Sequence, residues 1–339
     1  MNNVGNVSYA GKSILVIGGT GTIGRRLIQA LLRENPKVIR IFSRDEHKQY
    51  EMCIDFKEDS GCLRFLIGDV RDQHRLSRAM EDIDYVFHCA AMKHVPACEY
   101  NPFEAVQTNV IGTQNVIQAA IENKVRKVLF TSTDKAISPT NTYGATKLTA
   151  ERLISATEYH KGAKSTIFSS VRFGNVMGSR GSVIPLFKKQ ILEEQRITLT
   201  DPNMLRYMMT PSQAIELILK ANNLAAGGEV FVLKMPLIRI GELAEVVIEF
   251  TKLKYGITDN IIIDEIGLRS GEKLFEELMT DDEALIAHEK EDMYIIPHNH
   301  KDRSNYNTRF NSIVKPFPND FEAISKKEIS DWFIKENII

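Results

Sequence analysis

The chain has 339 residues, and 43% of them are hydrophobic, so it is long enough to bury a sizeable core and exceeds one ordinary domain. Its formal net charge of -1, with basic residues scattered along the chain, gives no electrostatic case for a nucleic-acid partner. No apolar run suggests a membrane span, and four cysteines without paired metal-ligand spacing predict reduced thiols in a cytoplasmic protein without a metal site.

The first predicted elements are a strand at residues 13–17, a glycine turn and a helix at residues 25–32. Gly19, Gly21 and Gly24 fit the Rossmann spacing, whereas Gly18, Gly21 and Gly24 fit the wider spacing of short-chain dehydrogenase/reductases. Glycines let the backbone approach a pyrophosphate, whose charge is met by the helix N-terminus. The turn therefore predicts a dinucleotide site whose candidate residues are Gly18, Thr20, Gly21, Thr22, Ile23 and Gly24.

The second predicted strand, at residues 38–42, is followed by Ser43 and Arg44 rather than by an acid. Hydrogen-bond donors and positive charge at this position suit a 2′-phosphate, which favours NADP, with NAD as the alternative. An ordinary surface arginine is the other interpretation of Arg44. Further strands end at Asp69 and Val70, expected near the adenine, and at the small residues Ala90 and Ala91, which let a cofactor lie close.

Strand and helix patterns that alternate in this way predict an α/β fold with a Rossmann-type, doubly wound parallel sheet. We expect a cofactor domain over residues 1–174, completed by a strand near residues 228–236. Residues 175–339 are then expected to form mainly a smaller substrate domain. Within it, residues 302–319 have a loop-like composition, and residues 324–334 have the pattern of a terminal helix.

An apolar strand ending at residues 131–133 is followed by Asp134 and Lys135 and then by a predicted helix from Tyr143. Tyr143 and Lys147 share one face of that helix, where a nearby ammonium is expected to lower the pKa of the phenol. A Tyr-x-x-x-Lys spacing also arises by chance on a solvated helix face, so the pair alone does not establish catalysis. The dinucleotide turn favours a catalytic interpretation.

The motifs of this chain resemble the UDP-N-acetylglucosamine 4,6-dehydratases of polysaccharide and flagellin-sugar biosynthesis, which are extended short-chain dehydrogenase/reductases. The resemblance covers residues 11 to about 297. Two departures are Ser270, where the family often has Pro, and Leu205, where it often has Thr. The matching motifs occur at residues 43–46, 90–96, 132–136, 172–176, 178–183, 200–202 and 269–274.

The resemblance implies transient oxidation at sugar carbon 4, loss of water across carbons 5 and 6, and return of hydride to carbon 6, with the cofactor tightly bound throughout. It assigns proton transfer at the C4 hydroxyl to Tyr143 and Lys147. Lys135, with a pKa depressed by burial and by the nearby positive nicotinamide, is expected to remove the C5 proton while a protonated Asp134 assists the leaving hydroxyl. Thr133 is expected to orient a sugar hydroxyl; a structural strand-end residue is the alternative.

The same resemblance places the nucleotide sugar against the second part of the chain. Its candidate ligands are Lys93, Asn175, Ser182, Val183, Thr200, Arg206, Arg269 and Glu272, and Lys93 is also a candidate at the cofactor. Taken singly, each arginine is more often a solvated surface residue than a ligand. Apolar faces predicted on helices at residues 102–123 and 143–159 indicate a homo-oligomer built on a four-helix bundle, as in this superfamily.

Tyr143 favours the branch that inverts carbon 5, because the resemblance associates Met at this position with retention. A configuration-retaining dehydratase and a UDP-sugar 4-epimerase remain alternatives, although an epimerase needs no acid–base pair at Asp134 and Lys135. A redox-sensing NADP-binding regulator without catalysis is the alternative from another class. The intact reactive residues argue against it.

Overall fold

The computed structural model describes residues 8–57, 61–268, 271–298 and 322–339. Strands and helices alternate along the first half of the chain, as the sequence predicts. The strands are β1 Ser13–Ile17, β2 Val38–Ser43, β3 Leu63–Ile67, β4 Tyr85–His88, β5 Lys127–Thr133, β6 Ile167–Phe173, β7 Asn175–Val176, β8 Arg196–Leu199, β9 Leu205–Met209, β10 Val230–Leu233, β11 Leu237–Arg239, β12 Ile262–Glu265, β13 His288–Glu289 and β14 Met293–Ile296. The α-helices are α1 Thr22–Leu32, α2 Glu46–Asp55, α3 Gln73–Met80, α4 Val95–Tyr100, α5 Pro102–Ala105, α6 Gly112–Glu122, α7 Thr142–His160, α8 Val183–Glu194, α9 Pro211–Leu224, α10 Ile240–Tyr255, α11 Asp281–Ile286 and α12 Lys326–Glu336.

The large sheet has the strand order β13-β14-β10-β6-β5-β4-β1-β2-β3. Its pairings from β3 to β10 are parallel, and β14 and β13 add an antiparallel edge. The order 3-2-1-4-5-6 is that of the Rossmann fold, which confirms the predicted fold class. The chain reverses its direction of strand addition between β1 and β4, and such folds bind ligands at this point.

Buried apolar side chains form three clusters. Two of them pack with the strands of the large sheet, whose β1 and β4 are buried along their whole length. The third lies in the second half of the chain, where α8, α10 and α12 pack with the strands β8 and β9. The second half of the chain therefore has its own hydrophobic core, separate from the two clusters at the large sheet.

The helical stretch from Pro102 to Glu122 contains a feature that periodicity did not predict. A π-helical segment, Val106–Ile111, separates α5 from α6. It contains the buried Asn109, whose amide binds both backbone groups of Met92 and the hydroxyl of Thr146. Segments of this kind are often found at functional sites, and this one ties the loop after β4 to α7.

The terminal helix predicted at residues 324–334 is present as α12, shifted by two residues. The loop-like stretch at residues 302–319 lies outside the described residues. Within the described part of the chain, no helix combines the length and the apolar character needed to cross a membrane.

Candidate active site

The glycine turn lies at the carboxyl end of β1, where α1 begins. Gly18 has a φ of +79°, and a Cβ there would come within 2.7 Å of the backbone nitrogen of Ala90. A Cβ at Gly24 would meet the carbonyl oxygen of Gly18 at 2.5 Å. These contacts explain why only glycine allows β1, β4 and α1 to approach so closely. Helix α1 is preceded by Gly21 without a capping side chain, so its first N–H groups suit a phosphate.

A cationic cleft of about 460 Å³ opens beside this turn. It is lined by Thr20, Gly21, Thr22, Arg25, Arg26, Gln29 and Arg180. The backbone N–H of Arg180 donates to the hydroxyl of Thr22 at 3.2 Å, which joins the second half of the chain to the turn. Burial, with the positive charge of Arg180, lowers the pKa of Lys93. This concentration of positive charge fits a dinucleotide pyrophosphate, and sequence reasoning did not assign Arg25, Arg26 or Arg180 to it.

Ser43 ends β2, and its hydroxyl accepts a hydrogen bond from Gln49 at 2.9 Å. The Arg44 side chain is 58% exposed, and its guanidinium lies 3.6 Å from the carboxylate of Asp69. Asp69 also binds Arg71, and these contacts outweigh burial and lower its pKa. Val70 is buried and packs against Gly112, where a Cβ would lie only 2.7 Å from the Val70 side chain. A donor at Arg44 therefore remains accessible at the strand end.

The candidate acid–base pair lies in one turn directly after β5, with Asp134 buried and the Lys135 side chain 20% exposed. Thr133 donates to Oδ1 of Asp134 at 3.0 Å, and Lys135 Nζ lies 3.1 Å from the same oxygen. Oδ2 of Asp134 is buried and has no hydrogen-bond partner among the described residues. A carboxyl group with one oxygen free can offer a proton to a ligand. The structure thus gathers Thr133, Asp134 and Lys135 at the sheet edge where Rossmann folds bind their ligands.

The depressed pKa expected for Lys135 is wrong for the protein alone. Burial lowers the pKa, but the negative charges of Asp134 and Glu276 outweigh it and raise the pKa above its ordinary value. Glu276 Oε1 lies 3.7 Å from Lys135 Nζ, and its side chain is buried. The sequence pattern did not single out Glu276, because the fold alone brings residues 134–135 and 276 together.

The expectation that Lys147 lowers the pKa of Tyr143 is also wrong. Burial raises the pKa of Tyr143, and this outweighs the hydrogen bond with Thr133 and the positive charge of Lys135. Lys147 Nζ instead donates to the carbonyl of Thr131 at 2.5 Å and lies 3.8 Å from the centre of the Phe130 ring. Burial lowers the pKa of Lys147 to about 7, so part of its positive charge is lost at neutral pH.

Helix α7 reaches the Asp134 turn because of Gly144. A Cβ at this position would lie 2.1 Å from the carbonyl oxygen of Lys135. Asn141 caps the helix by accepting from the N–H of Gly144 at 2.9 Å. The glycine after Tyr143 was visible in the sequence, but its role depends on a contact that only the fold creates.

The candidate substrate residues divide between this cluster and more distant positions. Asn175 Oδ1 lies 3.5 Å from Lys135 Nζ. Arg206 is buried, and its guanidinium donates to the carbonyls of Leu205, Lys273 and Leu274, so it fixes the backbone after Glu272 as well as facing the acid–base turn.

Ser182 and Val183 lie at the start of α8, where the Ser182 hydroxyl donates to the carbonyl of Ser179 at 2.6 Å. Thr200 follows β8. Glu272 lies in the segment that crosses the acid–base turn, and its charge acts on Arg206. Arg269 lies outside the described residues.

The sheet order, the glycine turn and the acid–base turn at the sheet edge define a Rossmann-type enzyme of the extended short-chain dehydrogenase/reductase class. Residues 14–298 match the family described as "Polysaccharide biosynthesis protein". The chain belongs to this family.

Three relatives are similar over most of the chain. An uncharacterised membrane protein of Methanocaldococcus jannaschii is 50% identical, covering 95% of this chain and 97% of that protein. A UDP-N-acetylglucosamine 4,6-dehydratase (inverting) of Campylobacter jejuni is 44% identical, covering 85% of this chain and 83% of the enzyme. A UDP-glucose 4-epimerase of Rickettsia rickettsii is 41% identical, covering 87% and 85% of the two chains.

Two solved structures show the same architecture. The structure of Pen from Bacillus thuringiensis is 53% identical and superposes with a TM-score of 0.91, covering 98% of this chain and all of that chain. A dTDP-glucose 4,6-dehydratase from Streptomyces venezuelae, solved with NAD and TYD bound, is 19% identical, with a TM-score of 0.70 over 96% and 98% of the two chains. The second likeness concerns the fold alone.

Proposed function

We propose that this protein is a UDP-N-acetylglucosamine 4,6-dehydratase that inverts carbon 5. One observation carries the proposal: the buried Asp134 and the partly buried Lys135 pair with each other beside Tyr143 at the ligand-binding edge of the sheet. Such a pair suits proton removal at one carbon and proton donation at the next. The named activity of the Campylobacter relative, at 44% identity, supports this substrate and outcome.

The site suits a nicotinamide cofactor, which when bound would supply hydride acceptance at sugar carbon 4 and hydride return at carbon 6. Gly18, Thr20, Gly21, Thr22, Ile23 and Gly24 would hold the pyrophosphate together with the arginines of the cleft. Ala90, Ala91, Lys93, Tyr143 and Lys147 would lie along the nicotinamide half, and Asp69 and Val70 near the adenine. A cofactor regenerated in each turnover has no need to leave.

The chain's own residues then move the protons. In its phenolate form, which the hydrogen bond with Thr133 and the positive charge of Lys135 favour, Tyr143 takes the proton of the C4 hydroxyl, and Thr133 also orients a sugar hydroxyl. The resulting ketone acidifies the C5 hydrogen, which the neutral amine of Lys135 removes. Asp134 gives its proton to the C6 hydroxyl, which leaves as water. Tyr143 then gives the proton that it took from the C4 hydroxyl to the opposite face of carbon 5, which inverts that centre and restores the phenolate.

The proton balance of the acid–base pair explains how a lysine with a raised pKa can act as a base. Transfer of one proton from Lys135 to Asp134 across 3.1 Å creates the neutral amine and the protonated acid together. The transfer leaves the total charge of the pair unchanged. It also replaces two ions by two neutral groups, which removes the cost of keeping both ions away from water. After water loss, the proton taken from carbon 5 passes from Lys135 to Asp134 and resets both groups.

The second part of the chain, from residue 175, is proposed to hold the UDP moiety. Asn175 lies within reach of Lys135 and so belongs near the sugar. Ser182, Val183, Thr200, Arg206, Arg269 and Glu272 are proposed ligands of the nucleotide diphosphate. Arg206 serves in this proposal mainly by fixing the loop that carries Glu272.

We propose NADP rather than NAD, because Ser43 and Arg44 end β2. The Arg44→Ala variant should bind NADP about tenfold more weakly, since a charge-assisted hydrogen bond contributes on the order of 1.5 kcal/mol or more. NAD affinity should change little. Fluorescence titration of both cofactors measures this, and an equal loss for both would refute a 2′-phosphate contact.

A 4-epimerase is the second candidate, because the Rickettsia relatives carry that name at 41% identity. An epimerase would use Tyr143 and the cofactor but has no step for Asp134 and Lys135. The pair therefore favours the dehydratase.

The deciding experiment incubates the purified protein with UDP-N-acetylglucosamine in deuterated water and follows the reaction by proton NMR. The proposal expects a 4-keto-6-deoxy product of arabino configuration with deuterium at carbon 5. The xylo configuration from the earliest time points would mean retention, and the galacto isomer without water loss would mean an epimerase. Tight cofactor binding without turnover of any nucleotide sugar would support a regulator.

A homo-oligomer and a cytoplasmic location, with no membrane or nucleic-acid partner, complete the proposal. Support for the oligomer comes from large apolar side chains that remain exposed near the π-helical segment, among them Tyr100, Phe103 and Ile111. Exposed apolar groups that lie close together often mark an interface between subunits.

A further inference from the structure

Glu276 is a buried acid that sequence reasoning did not place at the reaction centre. Its carboxylate lies 3.7 Å from Nζ of Lys135 and is 6% exposed. The backbone around it is fixed: Lys273 Nζ donates to the carbonyl of Ile137 at 3.1 Å, and the amide of Asn141 donates to Gly271 at 3.0 Å. Glu276 is therefore held across the acid–base turn rather than placed there by a mobile side chain.

The charges around Lys135 can be named from every element that faces it. Asp134 and Glu276 are negative and Arg206 is positive, and the phenol of Tyr143 completes the surroundings. Glu276 itself also faces Lys273. Asp134 gives up and regains its proton in each turnover, whereas Glu276 has no bond-forming role. Burial and the negative charge of Asp134 raise the pKa of Glu276, whereas Lys135, Arg206 and Lys273 favour its carboxylate form, and in that form its charge acts on Lys135 throughout the cycle.

We propose that Glu276 is a positioning residue that sets the basicity of Lys135. This inference rests on the proposed dehydratase function. The Glu276 carboxylate stabilises the ammonium that forms when Lys135 takes the C5 proton, so it strengthens the base in that step. Glu276 would act on Lys135 as the aspartate of a serine-protease triad acts on its histidine: it stabilises the protonated base but exchanges no proton with the substrate.

The pH dependence of the C5 step gives a direct test. The active pair carries one proton shared by Asp134 and Lys135, and activity falls at high pH when this proton is lost. Replacing Glu276 by Gln keeps the shape but removes the negative charge that holds the proton. The descending limb of deuterium incorporation at carbon 5 should move about one pH unit to lower pH, and the maximal rate should fall.

Glu277 provides a matched control. It is the next residue, and its carboxylate lies 3.7 Å from Lys273 rather than beside Lys135. In the Glu277→Gln variant, deuterium incorporation at carbon 5 should decline over the same pH range as in wild type. Glu276→Asp, which keeps the charge but moves it by one methylene group, should give a smaller shift in the same direction, and it replaces the Gln variant if that one does not fold.

A lowered rate with an unmoved limb in the Glu276 variants would mean a structural role and would overturn the inference. Wild-type protein that releases no water from UDP-N-acetylglucosamine would overturn the proposed function instead. The two results can be told apart, because the Glu276 variants are compared only with a wild-type enzyme that already dehydrates its substrate.

Discussion

Lys147 is a fully buried lysine whose pKa the fold lowers to about 7 from an ordinary 10.5. Its main polar contact is a single carbonyl, which does not offset the loss of hydration of an ammonium, so burial is the largest influence on its charge. A group of this kind changes ionisation in the range where the enzyme is expected to work.

This shift predicts a pH-dependent stability. Between pH 7 and 10.5 the unfolded chain binds more protons at Lys147 than the folded chain, so stability rises with pH. The slope is at most about 1.4 kcal/mol per pH unit. Melting temperatures of cofactor-stripped protein between pH 7 and 8.5 should rise in wild type relative to Lys147→Met. The measurement ends at pH 8.5 because burial raises the pKa of the nearby Cys89 to about 12. At higher pH the unfolded chain loses the Cys89 proton before the folded chain does, which lowers stability as the pH rises.

Parallel melting curves for the two proteins would contradict the lowered pKa. The Lys127→Met variant serves as the control. Lys127 is less deeply buried and donates to three backbone carbonyls, and burial lowers its pKa as well, so Lys127→Met should show a smaller difference from wild type over the same pH range.

Helix α7 depends on a contact that tolerates no side chain. The Gly144→Ala variant would force a Cβ to within 2.1 Å of the Lys135 carbonyl, so α7 must move away from the acid–base turn. We expect a loss of about 1–3 kcal/mol in stability, as for other overpacked sites, and loss of turnover because Tyr143 moves with the helix. Thermal unfolding and the NMR assay measure both effects.

Gly61→Ala is the matched control, because a Cβ at Gly61 meets nothing within 4 Å. It should leave stability and turnover close to wild type. Normal turnover in Gly144→Ala would show that the helix position is not needed for catalysis.

A buried ion cluster joins α7 to the large sheet and to the C-terminal part of the chain. Arg172 is fully buried on β6 and binds Glu151 on α7 at 2.6 Å and Glu283 on α11 at 2.7 Å. The two carboxylates raise the pKa of Arg172 despite its burial. Arg172, visible in the sequence only as part of a family motif, thus connects three elements around the site.

Removal of one carboxylate should be strongly destabilising. Glu151→Ala removes the carboxylate that accepts from Nε and one terminal nitrogen of Arg172 and leaves Glu283 as its remaining carboxylate partner; breaking a buried ion pair in this way typically costs about 3–5 kcal/mol. The exposed pair of Lys189 and Glu193 is the comparison, and Glu193→Ala should cost no more than about 1 kcal/mol. Chemical denaturation measures both, and similar small losses would contradict the importance of the cluster.

At the scale of the whole molecule, the proposed oligomer predicts that an exposed aromatic side chain on α5 lies in an interface between subunits. Phe103 is 67% exposed on α5. The Phe103→Glu variant should convert an oligomer to a smaller species, because a charge at an apolar interface is costly to bury. Light scattering after size-exclusion chromatography measures the mass.

Leu253→Glu, at an 82% exposed position on α10, should leave the mass unchanged. A monomeric wild-type protein, or a Phe103→Glu variant of unchanged mass, would refute an interface at this helix.

The sequence by itself determined the glycine turn and the parallel sheet, and it singled out the candidate acid–base residues. These features are local: strand 13–17, its glycines and the following helix are contiguous, and Asp134 and Lys135 follow a strand directly. The alternation of strands and helices then leaves few topologies. The antiparallel edge made by β13 and β14 was not predicted, because such short pairings depend on the neighbour that the sheet offers.

The tertiary structure decided the electrostatics of the site. Lys147 turns to the Thr131 carbonyl instead of Tyr143, and Glu276 reaches Lys135 across about 140 residues of sequence. Burial and contacts between distant residues set these pKa values, and neither is written in local spacing. The sequence therefore supplied the reactive groups, and the fold determined how each of them is charged.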